Sequence, residues 1–306
     1  MKKKLLISVF FIILTGCGTR LVYFHLDWLI PWYISDYISL DSEQKNLLEK
    51  RLLAQLDWHC RTQLPVYAET LRALGKDVAD TDNSIDVERL KFHHSRVMEL
   101  WKVLLREIAP DITDLMLTAS DDQIKELFGN LAERNLEFRE KYVDLPAEEL
   151  NKNRQKRMQK NLAFWISDLT PEQERAVVDW STGLMPVAEE WLQNREMVQA
   201  FAQTLLENRN GSPEFRKNVF DLVVYPEHNW PAAYQKKIDF NTDVTFRFII
   251  QVNRLLTPEQ RRHFLKRIAS LAAEFDKISC DPYAVSKPVG PAQPCSIEKP
   301  FDEAIT

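Results

Sequence analysis

The sequence predicts an all-α fold: several long proline-kinked helices packed as antiparallel hairpins, followed by an extended Pro-rich C-terminal tail. Three observations predict it. Apolar residues step by three or four through most of the chain. Only 7 glycines occur in 306 residues, too few for a turn-rich β fold. No stretch sustains an apolar–polar alternation with β-branched enrichment.

The first long helix is expected over 41–78. Its stripe runs Leu48, Leu52, Leu56, Cys60, Leu64, Tyr67, Leu71 and Leu74, with a kink at Pro65. Asp80 to Ser84 is a polar turn. A second helix over 85–108 has the stripe Leu90, His94, Val97, Trp101, Leu104 and Ile108, which makes His94 a hydrogen-bonded core residue. Pro110 should interrupt it, with a short apolar segment at 112–117 leading to a helix over 121–142. A helix over 146–167 carries Lys152, Arg154, Lys156, Arg157 and Lys160, read as a solvated face, with a strip for an acidic partner as the competing reading. The helix over 170–209 should kink at Pro186 and stop at Asn210-Gly211. Ser212-Pro213 opens a shorter helix, and 225–231 is a non-helical connector. Two last helices are expected over 232–256 and 258–278.

The N-terminus decides the compartment. Lys2, Lys3 and Lys4 precede a predominantly apolar run of about ten residues, Leu5 to Leu14, a length typical of secretory signals and below the roughly 20 residues that span a bilayer. Leu14-Thr15-Gly16-Cys17 closes the run and resembles the bacterial lipobox; the competing reading is an ordinary secretory signal that contains a cysteine. The resemblance implies cleavage before Cys17 and lipid (palmitate) on its thiol. Gly18 in place of Asp implies sorting to the outer membrane, facing the periplasm. The chain then divides into a signal peptide (1–16), an anchored aromatic segment (17–40), a helical body (41–280) and a Pro-rich tail (281–306). The aromatic segment is expected as a short helix packed on the body, with a headgroup-zone segment as the alternative, and Pro31 as a break or kink.

Losing residues 1–16 removes three lysines, leaving 37 Lys+Arg against 45 Asp+Glu and a charge of −8. A mildly acidic body with no basic block argues against nucleic acid as a partner. Beyond Cys17, three cysteines remain. The arithmetic in an oxidising compartment is one disulfide and one free thiol: Cys280–Cys295, which is slightly favoured, or Cys60–Cys280. Their spacing suits no zinc site, and neither metal nor cofactor is expected.

One motif recurs. Leu169-Thr170-Pro171-Glu172-Gln173 and Leu256-Thr257-Pro258-Glu259-Gln260 match over five residues; Leu40 to Gln44 and Leu117 to Gln123 are degraded copies. Each reads as a helix start, with Thr170 and Gln173, or Thr257 and Gln260, forming a capping box. The motif resembles the Leu-Thr-x-x-Gln signature of the Spy/CpxP group of periplasmic stress proteins. That group consists of small helical dimers and includes an ATP-independent chaperone. As a whole chain the sequence is similar to a family of uncharacterised proteobacterial lipoproteins, through Leu26-Asp27-Trp28 and the run Trp58-His59-Cys60-Arg61-Thr62-Gln63-Leu64-Pro65. That resemblance implies location and fold and no activity.

No nucleophile elbow, H-E-x-x-H, P-loop or Gly-rich dinucleotide turn occurs. The expected function is a non-catalytic helical binding or structural component of the cell envelope, held to the membrane through Cys17 and acting on an envelope protein partner. The alternatives are a chaperone-like binder of envelope proteins and, on compartment alone, a hydrolase of envelope polymers.

Overall fold

A computed structural model describes residues 18–80, 85–278 and 280; side chains of 18, 19 and 21 are not described. Cys17, Cys295 and the tail fall outside the described residues. Among the described residues there is no strand, and no helix is long and apolar enough to cross a membrane.

Two short helices open the chain, α1 (Gly18–Tyr23) and α2 (Leu26–Ile34). Pro31 lies inside α2 without ending it. The first long helix is two: α3 (Ser42–Thr62) and α4 (Leu64–Ala79), broken at Gln63 rather than kinked. Pro65 sits in the first turn of α4, where a missing N–H costs nothing. By contrast α5 (Val87–Leu117) continues unbroken past Pro110. The expected interruption is absent because the proline's flank is locked in the core. Ala109 and Thr113 are buried, and the Thr113 hydroxyl donates to the Ala109 carbonyl at 2.8 Å.

Helix α6 (Asp121–Tyr142) and α7 (Ala147–Ile166) follow. The expected 170–209 helix is also two, α8 (Pro171–Gly183) and α9 (Ala188–Glu207), because Leu184 turns extended ahead of Pro186. Gly211 takes φ +67 between α9 and α10 (Pro213–Val224). A 3₁₀ turn at Pro226–Asn229 leads to α11 (Ala232–Arg254) and α12 (Pro258–Lys277), with Lys102 of α5 pairing with Glu227 of the turn at 2.7 Å.

Helix α4 lies along α12, the most extensive helix contact among the described residues. Small residues allow it. Ala68 and Ala272 are fully buried, and a Cβ at Gly75 would stand 3.3 Å from Ile268. Helix α10 packs along α5, α9 along α6, and α8 between α7 and α11. One core gathers Ile124, Leu206, Phe215 and Val219. Another gathers Ile166, Val177, Phe248 and Val252. The chain contributes to these alternately: α6, then α7 and α8, then α9 and α10, then α11.

The disulfide joins Cys60 to Cys280, with Cα atoms 5.6 Å apart across a sequence separation of 220. This corrects the slight preference for Cys280–Cys295. The end of α3 and the chain leaving α12 converge on one apolar cluster with Leu64, Tyr67 and Ile278, which brings Cys280 to Cys60. Closing so long a loop is worth up to about 5 kcal/mol in the chain-entropy picture. Cys60→Ser should therefore lower the guanidinium midpoint markedly, and a reductant should have no further effect on the variant. A midpoint equal to wild type would mean this cross-link does not hold the body together.

Candidate functional site

The four repeated helix starts form the best-defined polar constellation in the molecule. Asp41, Ser120, Thr170 and Thr257 each cap their helix, accepting the backbone N–H of Gln44, Gln123, Gln173 and Gln260. Each glutamine carboxamide oxygen accepts the N–H of its own cap residue, at 2.8–3.1 Å. All four copies, degraded or not, are complete capping boxes. In the two Pro-containing copies, Glu172 and Glu259 are held below the usual carboxylate range, first by their own backbone N–H and then by Arg175 and Arg262.

The structure adds a pairing that one-dimensional reading does not reveal. Gln44 Nε2 donates to Gln123 Oε1 at 3.0 Å, and Gln123 Nε2 returns the bond at 2.7 Å. Gln173 and Gln260 do the same at 2.8 and 2.9 Å. The second amide proton of each glutamine reaches the turn of its partner. Gln44 donates to the Thr118 carbonyl and Gln123 to that of Ser39; Gln173 donates to Leu255 and Gln260 to Asp168. Every donor and acceptor of each carboxamide is thus engaged, which is why Gln173 can be fully buried. In the α7–α8 turn, Ser167 takes φ +72, ψ −161, a conformation that favours glycine, just before the Asp168 carbonyl that Gln260 grips.

The run Trp58 to Pro65 forms the second constellation, where α1, α3, α4 and the end of α12 meet. The Tyr23 hydroxyl lies 3.1 Å from His59 Nδ1 and donates to the Leu56 carbonyl at 3.2 Å. His59 stacks on Tyr23 and meets Tyr67 edge-on; Tyr67 meets Phe275 of α12. Arg61 donates to the Cys280 carbonyl beside the disulfide. Burial pushes the phenols of Tyr23 and Tyr67 up and the His59 imidazole down, so all three favour their neutral forms.

The buried histidine of α5 is His93, not His94. His93 Nε2 lies 2.7 Å from Asp77 of α4, which also pairs with Arg89. His94 is exposed and meets Phe246 edge-on. The expected stripe is rotated by about one residue. Leu100, Ala109 and Leu115 face inward, while Val97, Met98 and Trp101 stay 42–49% exposed. The Asp77 side chain selects the inward face, an interaction between helices that periodicity within one helix does not carry. A third feature is a groove of about 550 Å³ between α2 and α3. There Trp28, 58% exposed, stacks on Trp32 opposite Leu48 and Leu52.

Gln173→Ala should cost about 2–4 kcal/mol, because it leaves the Thr170 N–H and part of Gln260 unpaired in the interior. A double-mutant cycle with Gln260→Ala should return a coupling of roughly 1–3 kcal/mol, and additive losses would refute the pairing. His59 supplies a pH test. Its folded value lies below the ordinary 6.5, so the unfolded chain binds more protons as pH falls through that region. The contribution is complete above about pH 6.5 and is lost on acidification toward the folded value. Melting temperature should fall between neutral and mildly acidic pH, and His59→Phe should flatten that slope; a slope unchanged in the variant would clear His59 as its origin.

No curated protein and no solved structure matches the chain, and the likeness to the Spy/CpxP signature therefore stands on the cap motif alone. One family model matches, over residues 36–235. The span takes in Gln44, Gln123, Gln173 and the Trp58–Pro65 run, and ends before Gln260. The chain belongs to the family described as "Family of unknown function (DUF6279)".

Proposed function

We propose that the protein is a lipid-anchored, periplasm-facing component of the outer membrane, a non-catalytic helical body that engages an envelope protein partner. The observation that carries this reading is the Cys60–Cys280 disulfide. A cross-link over 220 residues is the kind of bond that an oxidising compartment sustains. It agrees with the secretory run and lipobox ending at Cys17. Helix α1 begins one residue after Cys17, so an acyl group there would hold the α1–α2 segment against the membrane surface.

A surface suited to a protein partner supports the binding half of this reading. His94, Val97, Met98 and Trp101 share one face of α5 by their spacing, and that face stays open to solvent. The same exposure also favours the chaperone-like reading, in which the face takes many unfolded clients. Cys17→Ala should abolish metabolic palmitate labelling and release the protein to the soluble periplasm; continued labelling would end the anchor reading. A photo-crosslinker at position 101 separates the two binding modes. One dominant envelope protein supports a specific partner, and a smear of unrelated clients supports the chaperone.

A further inference from the structure

The groove between α2 and α3 has an open aromatic wall. Trp28 and Trp32 stack with ring centroids 6.1 Å apart and planes 12° from parallel. Leu48, Leu52 and Leu53 line the groove with them, and Trp28 and Leu53 are 58% and 49% exposed. From Leu53 to Lys45 the groove runs about 12 Å along α3, at about 1.5 Å per residue. Its charged lining is Asp27, Glu49 and Lys45, negative on balance. Two large apolar side chains left open at one concavity call for a cover.

The chain itself supplies one. Residues 281–306 lie outside the described residues, but the place where they begin is fixed. Cys280 is bonded to Cys60 at the end of α3, and its carbonyl accepts from Arg61 at 3.2 Å. Cys60, Leu53 and Glu49 are spaced by seven and four, so they share one face of α3. The tail therefore starts on the face of α3 that bears the groove. Along the helix axis Leu53 stands about 10 Å from Cys60, and Lys45 about 22 Å. Residues 281–287 reach about 22 Å at the polyproline II rise. That brings Pro288 to Leu53 with slack to pass α1, whose Tyr23 bonds to the Leu56 carbonyl on the way.

The composition of the tail matches what the groove offers. Pro288, Pro291 and Pro294 recur at every third residue. A polyproline II helix has three residues per turn, so in it these prolines share one edge at intervals of about 9 Å. Two of them fit a groove of about 12 Å. Aromatic-lined grooves take such runs because rings pack on the proline faces, and because this helix leaves its backbone carbonyls free to accept from donors such as an indole N–H. Lys287, immediately before the run, complements Asp27 and Glu49. A short tether also raises the effective concentration of the run to the millimolar range, so a weak contact suffices. We propose that Pro288 to Pro294 docks as a polyproline II strand in the α2–α3 groove of its own chain, against Trp28 and Trp32. The proposal rests on neither the lipid anchor nor an envelope partner.

A photo-crosslinker at position 53 tests it. The sample is the full-length protein, as a mixture of light and isotopically heavy chains, in vesicles of phosphatidylethanolamine and phosphatidylglycerol. Mass spectrometry should find adducts between position 53 and peptides from 281–306 of the same chain. Pro288→Ala combined with Pro291→Ala changes no residue of the helical body and should lower the adduct yield about fivefold or more. Trp28→Ala, at an exposed position, should lower it comparably, and Pro300→Ala, outside the run, should leave it unchanged. Adducts joining light to heavy chains in place of the same-chain adduct would assign the groove to a second copy, and adducts with lipid would assign it to the membrane surface. Either would overturn the proposal, as would the absence of a tail adduct or a yield undiminished in the double proline variant or in Trp28→Ala.

Discussion

The rest of the fold depends on two reciprocal glutamine pairs. Gln44–Gln123 and Gln173–Gln260 each join helix starts about eighty residues apart in sequence, 79 in one case and 87 in the other. A carboxamide in an apolar interior is tolerated only when all four of its hydrogen-bonding positions are met. Here the cap residue, the partner glutamine and the partner's turn meet them. Because the geometry is reciprocal, it admits one register. Sliding the Gln173–Gln260 tip by a turn would strand two amides and two turn carbonyls in the interior, and at the other tip it would strand the buried Gln44. Apolar packing alone would not exact such a penalty, since a leucine finds another apolar neighbour after most slips. The pairs therefore fix where the helices meet, and the apolar clusters supply the area that holds them there.

Around those fixed points the chain passes back and forth between its cores. Helix α5 is long enough to touch α4, α10 and α11, and the α4–α12 contact joins an early helix to the last one. The Cys60–Cys280 bond lies beside that contact and fastens the same two regions covalently. The Tyr23–His59–Tyr67 stack then ties α1 to this junction through groups that burial keeps neutral. The family resemblance in Trp58–Pro65 thus falls on the place where the two ends of the body are joined, and its residues act there by packing and cross-linking.

Much of this was legible from the sequence. The helical class follows from periodicity, and α6, α7 and α12 start within a residue of where their caps and prolines put them. All four caps could be read because a capping box is local: cap and glutamine stand three residues apart. The pairing of the glutamines could not be read, because it joins positions some eighty residues apart, although four glutamines at one helical position were the available signal. The effect of each proline is less legible. Pro65 and Pro186 lie at breaks and Pro110 in an unbroken helix, and the difference is the buried flank at Ala109 and Thr113, a tertiary property. The inward turn of His93 depends in the same way on Asp77 from another helix. The basic residues of α7 are visible only as a run of charges, because the segment Pro186 to Ala188 that faces part of them comes from a stretch expected to be helical.

The disulfide also changes how the molecule would bear a load. If the chain were pulled between its N-terminal segment and its tail, tension entering through α1 and α3 would cross at Cys60 to Cys280 and leave by the tail. The loop closed by that separation of 220 would carry none of it. Drawn out, that segment would span about 700 Å, at roughly 3.3 Å per residue. With the bond intact this length is withheld, and the part free to extend on the N-terminal side is α1, α2 and α3. With the bond reduced, the same pull would reach α4 and peel it from α12. The cross-link makes the helical body beyond α3 a bystander to any force transmitted along the chain, shielded by a mechanical short circuit.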